Sequence, residues 1–317
     1  MVIQIIFIIL GFTLLVKGAD ILVEGSSAVA KKVNIPEIII GLTILSIGTS
    51  MPEIFVSITS ILRGYEDMSI GNIIGSNICN LLLILGISAL IRPMKFQKQT
   101  KWFENILSVV LTIIFLIMCN TNNEIQRIEG IILIVLFFLF MIYTIKMSIK
   151  NRKVETVMEI KNVKKINILK NSFLIILGII LLKIGGGMVV NNAEAIARML
   201  NVSEKVISLT IVAIGTSLPE LVTSVVAAIR GDSDIAIGNI VGSNIFNMLL
   251  IIGVTSVISP IKYNTTYNVQ MITLLIGTVM IAIIPFIEPK DKMSRGNGML
   301  FITLYVIYLI ELLINSN

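Results

Sequence analysis

The sequence predicts an all-α membrane protein of ten transmembrane helices arranged as two inverted five-helix repeats, and three observations carry that prediction. Of the 317 residues, 56% are hydrophobic and 14% are charged, where soluble domains carry about 25% charged residues. Apolar runs long enough to cross a bilayer, which takes about 20 residues of helix, recur along the whole chain. Polar motifs set inside those runs in the first half return in the second half at a constant offset.

In order, the predicted spans cover about 2–30, 36–62, 69–91, 103–120 and 128–148, then about 168–198, 203–229, 236–258, 266–286 and 297–315. The opening MVIQIIFIIL has no basic segment before it and runs on into further apolar sequence, so it is read as an uncleaved first span. The charged stretch between the fifth and sixth spans is too polar to cross a membrane. The expected organisation is therefore a first repeat at 1–150, a linker loop at 151–167 and a second repeat at 168–317. Lys and Arg orient the whole: eighteen of the 25 fall in loops on the side of the linker, five on the other, and Lys17 and Lys183 lie within spans. The linker is thus expected in the cytoplasm and both termini outside the cell membrane.

Composition also removes function classes. The chain has no histidine, and both Ser-His hydrolases and His-ligated metalloproteases need an imidazole; no enzyme activity is expected. Its net charge of +6 resides in interspan loops, which points to membrane orientation and away from nucleic acid. Cys79 and Cys119 sit in apolar runs without metal-ligand spacing and are expected to pack.

The repeat is nearly verbatim. GLTILSIGTSMPEIFVS and SIGNIIGSNICNLLLILG return as SLTIVAIGTSLPELVTS and AIGNIVGSNIFNMLLIIG, with Glu220 and Asn247 each 167 residues after Glu53 and Asn80. The register extends to Asn34 with Asn201 and Pro93 with Pro260. Five spans per half is an odd number, so the second half enters the membrane from the opposite side. Inverted repeats of this kind are a recurring plan of secondary transporters, with the site at the repeat interface near mid-membrane.

The motifs place chemistry there. In the second span Ser46, Thr49, Ser50, Glu53, Ser57 and Ser60 form one polar stripe, and in the third Ser69, Asn72, Ser76, Asn77 and Asn80 do the same. The second half supplies Thr210, Thr216, Ser217, Glu220 and Ser224, then Asn239, Ser243, Asn244 and Asn247. Pro52 and Pro219 cannot donate to the carbonyls of Gly48 and Gly215, so the helix opens at mid-depth. Backbone freed there must be buried in protein or line a cavity. An ionised side chain at a helix centre costs at least about 2.5 kcal/mol, so two in matched positions point to function. Two carboxylates with carbonyl, hydroxyl and amide oxygens describe a hard-cation site. Bidentate Glu53 and Glu220 would supply about four oxygens and one carbonyl from each of the Thr49 and Thr216 regions about two more, near the 6 to 8 that calcium takes. Gly71, Gly75, Gly238 and Gly242 read as a packing face. Asn72, Asn77, Asn239 and Asn244 fit either interhelix hydrogen bonding or lining, Ser50 and Ser217 are expected to bond backbone, and Asp20, Glu24, Lys17 and Lys183 to pair or snorkel.

At these residues the chain resembles the sodium/calcium exchanger branch of the cation/calcium antiporter superfamily, in its prokaryotic form. The hallmark G-T-S-x-P-E followed by G-N-x-x-G-S-N is present as GTSMPE with GNIIGSN and again as GTSLPE with GNIVGSN. The resemblance covers essentially the whole chain. It implies an antiporter that moves one calcium ion against sodium by alternating access, without a prosthetic group, as a monomer in the lipid bilayer. It further implies a central calcium site on Glu53, Glu220, Thr49 and Thr216. Flanking sodium sites would fall on Ser46, Thr49, Glu53 and Ser76 and on Ala213, Thr216, Glu220 and Ser243, and a middle position on Asn80 and Asn247. The first and sixth spans resemble the pair that slides across the core. The chain departs from the pattern at Asn247, where many members carry Asp; Asn matches a protonated Asp in shape and charge.

Three rivals stand beside this reading. A proton/calcium antiporter would use the same glutamates, although the paired Ser76 and Ser243 and the Thr hydroxyls favour sodium. A calcium channel would need a continuous pore, and an intramembrane enzyme would need histidines or mid-span aspartates that the chain lacks.

Overall fold

The computed structural model describes residues 1–33, 35–155, 167–200, 213–287 and 290–315. Asn34, Asn201, Thr210 and most of the expected linker lie outside the described residues. Helices dominate: α1 (Val2–Val33), α2 (Glu37–Thr49), α3 (Met51–Leu62), α4 (Glu66–Ile91), α5 (Thr100–Thr121) and α6 (Arg127–Glu155) make up the first half. In the second half α7 (Ile168–Met199), α8 (Ala213–Thr216), α9 (Leu218–Arg230), α10 (Ser233–Ile258), α11 (Thr265–Phe286) and α12 (Arg295–Asn315) follow. The helix of the fifth span runs on to Glu155, past the boundary expected at 150.

Proline breaks the second span where the sequence places the opening. Ser50, at φ −81° and ψ 10°, separates α2 from α3, which depart from one another by 45°. Ser217, at φ −88° and ψ 7°, separates α8 from α9 in the same way. Both breaks fall two residues before the proline, whose fixed φ suits the first turn of the helix that follows.

The repeat is visible as contacts exchanged between halves. A methyl on Gly11 would stand 2.8 Å from the Gly185 carbonyl oxygen and one on Gly18 3.0 Å from that of Gly178, so α1 and α7 cross antiparallel with backbones touching. Gly178 and Gly185 are the repeat counterparts of Gly11 and Gly18, so the crossing is reciprocal. Gly86 of α4 meets Gly298 of α12, and Gly130 of α6 meets Gly253 of α10, in equally close pairs. Each half thus packs on the other, with the apolar window of α10 94% buried and that of α4 78%, against 22% for α1 and α12. The outer helices expose Ile, Phe and Val side chains such as Ile9, Ile117, Ile128 and Phe138, as a lipid-facing surface requires.

Short strands tie the loops. β1 (Met94–Lys95) pairs antiparallel with β4 (Lys292–Met293), joining the loop after the third span to that after the ninth. β2 (Glu124–Ile125) pairs with β3 (Ile261–Lys262), joining the loops after the fourth and eighth. The loops after the third and ninth spans therefore meet on one face and those after the fourth and eighth on the other. Side-chain links agree: Lys101 with Asp291 and Gln97 with Asp234 on the first face, and the Lys262 amide with Glu66 on the second.

Candidate cation-binding site

The site lies where the breaks in the second and seventh spans meet α4 and α10. Glu53 and Glu220 each fall in the first turn after their break and are fully buried. Their hydrogen bonds cross between repeats: Ser50 Oγ donates to Glu220 Oε1 at 2.8 Å, and Ser217 Oγ to Glu53 Oε1 at 3.2 Å. Ser50 and Ser217 were expected to bond backbone; the structure instead gives each hydroxyl to the other repeat's carboxylate. The mark they carry in sequence is their place in the duplicated T-S-x-P-E. Ser76 Oγ adds a longer bond to Glu53 Oε1, at 3.4 Å.

Four asparagines join α4 to α10 beside the carboxylates. Asn80 Nδ2 donates to Asn244 Oδ1 at 3.1 Å and Asn247 Nδ2 to Asn77 Oδ1 at 3.0 Å, while Asn77 and Asn244 donate to each other's backbone carbonyls. Asn80 lies within a π-helical turn at Cys79–Ile84, and Asn247 opens another at Asn247–Ile251. Single π-turns inside α-helices occur frequently at functional sites, and nothing in the residue spacing announces these two.

One class of atom is left over. Glu53 Oε2, Glu220 Oε2, Asn80 Oδ1, Asn247 Oδ1 and Ser243 Oγ are buried oxygens with no hydrogen-bond partner among the described residues. No ion pair reaches either glutamate among those residues. Buried carboxylates without donors are costly unless a cation or proton offsets them. Hard oxygen donors, with the buried Cys79 thiol as a bystander against Ser217, suit sodium or calcium.

Of the other site residues expected from sequence, Thr49 is buried, with its hydroxyl 3.2 Å from Asn239 Oδ1, and Thr216 Oγ1 lies 3.4 Å from Asn72 Oδ1. Ser46 turns its hydroxyl onto the Gly41 carbonyl at 2.5 Å and lies 3.2 Å from that of Asn239, so its side chain faces the α10 backbone. Ala213 opens α8. Cys79 and Cys119 are free and buried. Gly238 and Gly242 pack against Gly41 and Leu42. Of the charged residues expected to pair or snorkel, Asp20 pairs with Arg230, which lies 3.5 Å from Glu24, and Lys183 Nζ sits 4.5 Å over the Phe55 ring.

A family model described as sodium/calcium exchanger protein matches the chain twice, over residues 3–146 and 170–313. The chain belongs to the sodium/calcium exchanger family. It is 32% identical over 312 residues to the inner membrane protein YrbG of Escherichia coli strain K12, covering 95% of this chain and 94% of that one. With the sodium/calcium exchanger MaX1 of Methanosarcina acetivorans it shares 30% identity over 353 residues, covering 97% of each. A solved structure of the sodium-calcium exchanger NCX_Mj superposes with a TM-score of 0.85 at 33% identity, covering 98% of both chains. This exchanger-family member is thus a multi-pass membrane protein built as two inverted repeats, with eight helices among the described residues long and apolar enough to cross a membrane, or nine when the bent pair α2–α3 is taken as one span, and it is a transporter rather than an enzyme. The two matched segments coincide with the two halves related by the repeat.

Proposed function

We propose that the chain is a secondary antiporter that exchanges sodium for calcium by alternating access, with calcium held at mid-membrane between Glu53 and Glu220. The observation that carries this reading is the crossed pair Ser50–Glu220 and Ser217–Glu53, which leaves one oxygen of each buried carboxylate, with those of Asn80, Asn247 and Ser243, without a hydrogen-bond partner among the described residues. The relatives named as sodium/calcium exchangers support the choice of ions.

Charge constrains the coupling. With both glutamates ionised the site carries two negative charges, which one calcium ion or two sodium ions neutralise, whereas three sodium ions give a net charge of +1. Calcium rests on Glu53, Glu220 and the backbone around Thr49 and Thr216. Sodium ions are assigned to the two flanking sets, Ser46 with Ser76 and Ala213 with Ser243, each sharing its threonine and glutamate, with Asn80 and Asn247 between them. The close α1–α7 pair moves across this core as one body, exposing the site to each side in turn. The chain acts as a monomer in the bilayer, as repeats at 1–150 and 168–317 joined by a cytoplasmic linker at 151–167, with both termini outside. The loop bias in Lys and Arg supports that orientation.

Uptake of labelled calcium into vesicles tests the proposal. Uptake should require an outward sodium gradient; equal uptake driven by a proton gradient without sodium would replace sodium coupling by proton coupling, and gradient-independent flux would indicate a channel.

A further inference from the structure

Outside the carboxylates, a three-residue relay recurs in both halves. Asn239 Oδ1 lies 3.2 Å from the Thr49 hydroxyl, and Asn239 Nδ2 donates to Ser224 Oγ at 3.0 Å. In the other half the Thr216 hydroxyl donates to Asn72 Oδ1 at 3.4 Å, and Asn72 Nδ2 donates to Ser57 Oγ at 3.1 Å. Every member of one relay is the repeat counterpart of a member of the other. The amide orientation is set at Asn72, whose Nδ2 also lies 3.4 Å from the Glu53 carbonyl, an acceptor only. Its Oδ1 therefore faces the threonine, and repeat symmetry assigns the same orientation to Asn239.

The connectivity crosses the molecule. Thr49 belongs to the first repeat, whereas Ser224 sits one turn beyond Glu220 on α9 of the second. Thr216 belongs to the second repeat, whereas Ser57 sits one turn beyond Glu53 on α3 of the first. We propose that Asn72 and Asn239 are positioning residues that set the width of the cation cage, each tying the threonine of one repeat to the glutamate-bearing helix of the other. The inference rests on the cation site proposed above and deepens it.

An amide suits this task because it accepts at one end and donates at the other, so one planar group bridges two hydroxyls in a fixed direction. Asp cannot donate when ionised, and Leu does neither. Outer partners of this kind orient the groups that touch a cation and cost about 10- to 100-fold in affinity when removed. Cage width matters because calcium takes its oxygens at about 2.3–2.6 Å, and a cage freed to widen loses its preference over a larger ion such as barium. Asn239 is fully buried whereas Asn72 is half-buried, so the Asn239 relay carries the larger share.

The test uses the purified full chain in detergent, reading the calcium and barium concentrations that raise its thermal unfolding temperature. Asn239→Ala should lower the preference for calcium over barium at least fivefold, and Asn72→Ala less. Ser224→Ala, which removes one hydroxyl and leaves the amide in place, should move it in the same direction. Thr49→Val removes the hydroxyl at the end of the relay, so adding Asn239→Ala to it should change the preference no further. A purely structural asparagine would instead weaken both ions equally and add its full effect in the Thr49→Val background; either result overturns the inference. Absence of stabilisation by calcium in the unmodified protein would remove the cation site and the relay together. Intact calcium binding with an unchanged preference in Asn239→Ala, or in Ser224→Ala if the former does not fold, would remove the relay alone.

Discussion

Glu53 and Glu220 sit at zero exposure with one oxygen each held by a serine of the opposite repeat. Replacing either by Gln keeps the shape and removes one of two compensating charges, leaving a divalent ion short of a ligand in a desolvated site. Breaking one partner of a buried charge pair costs about 3–5 kcal/mol, so Glu53→Gln and Glu220→Gln should each weaken calcium binding at least about 100-fold and abolish calcium uptake. Near-normal calcium affinity in either variant would show the glutamates to be structural. The serines follow on a smaller scale. A hydrogen bond to a charged group contributes about 1.5–3 kcal/mol, and Ser50 holds Glu220 more closely than Ser217 holds Glu53, at 2.8 Å against 3.2 Å. Ser50→Ala should accordingly raise the calcium concentration needed for half-maximal uptake about tenfold, and Ser217→Ala less; the reverse order would mean that the bound ion, rather than the serine, sets the carboxylate position. The glutamates were legible in sequence because a charge inside an apolar span stands out. The serine partners were not, because a hydroxyl at a helix break has backbone within reach as well, and only packing decides between them.

Among the elements, α1 and α7 cross with their backbones in contact, and the tolerance of that crossing to added volume is a direct check on the fold. At Gly11 an added methyl would meet the Gly185 carbonyl oxygen and Val189 at 2.8 Å, and at Gly185 it would meet the Gly11 carbonyl oxygen at 2.7 Å. Backbone lies on the far side in both cases, so the helices must part. Overpacking of this kind costs about 1–3 kcal/mol. Gly187, one position from the crossing face, has open space around it and serves as the control. Gly11→Ala and Gly185→Ala should lower the melting temperature in detergent and slow calcium uptake, whereas Gly187→Ala should leave stability within about 0.5 kcal/mol; equal behaviour of all three would show that the crossing is looser than its geometry. The multi-span plan, the duplication and the proline breaks could be read in advance because apolar runs, repeated polar residues and proline leave marks in residue order. The π-turns at Cys79–Ile84 and Asn247–Ile251 could not. They change which backbone carbonyl accepts a bond without changing the polar pattern, so Asn80 and Asn247 read as ordinary members of a helical stripe. The pairing of Arg230 with Asp20 was equally hidden, since Asp20 lies on α1 and its partner on α9.

For the whole molecule, the arrangement of loops constrains topology more tightly than charge alone. Two five-span halves must be inverted, and the strand pairs separate the loops into two groups: those after the third and ninth spans meet through β1 and β4, those after the fourth and eighth through β2 and β3. This grouping fixes which loops share a face, while Lys and Arg decide which face is cytoplasmic. Lys98, exposed in the loop after the third span, belongs to the basic group; Asn122, exposed in the loop after the fourth, belongs to the other. Both native cysteines are buried, at 3% and 0% exposure, so a membrane-impermeant thiol reagent should find little background. Lys98→Cys should be labelled in inside-out vesicles and spared in intact cells, and Asn122→Cys the reverse. Exchange of the two patterns would turn the protein over in the membrane while leaving the inverted repeat and the site intact, because neither depends on which side is the cytoplasm. Labelling of both positions from one side would contradict the strand pairing itself, and with it the odd number of spans per half on which the inversion rests.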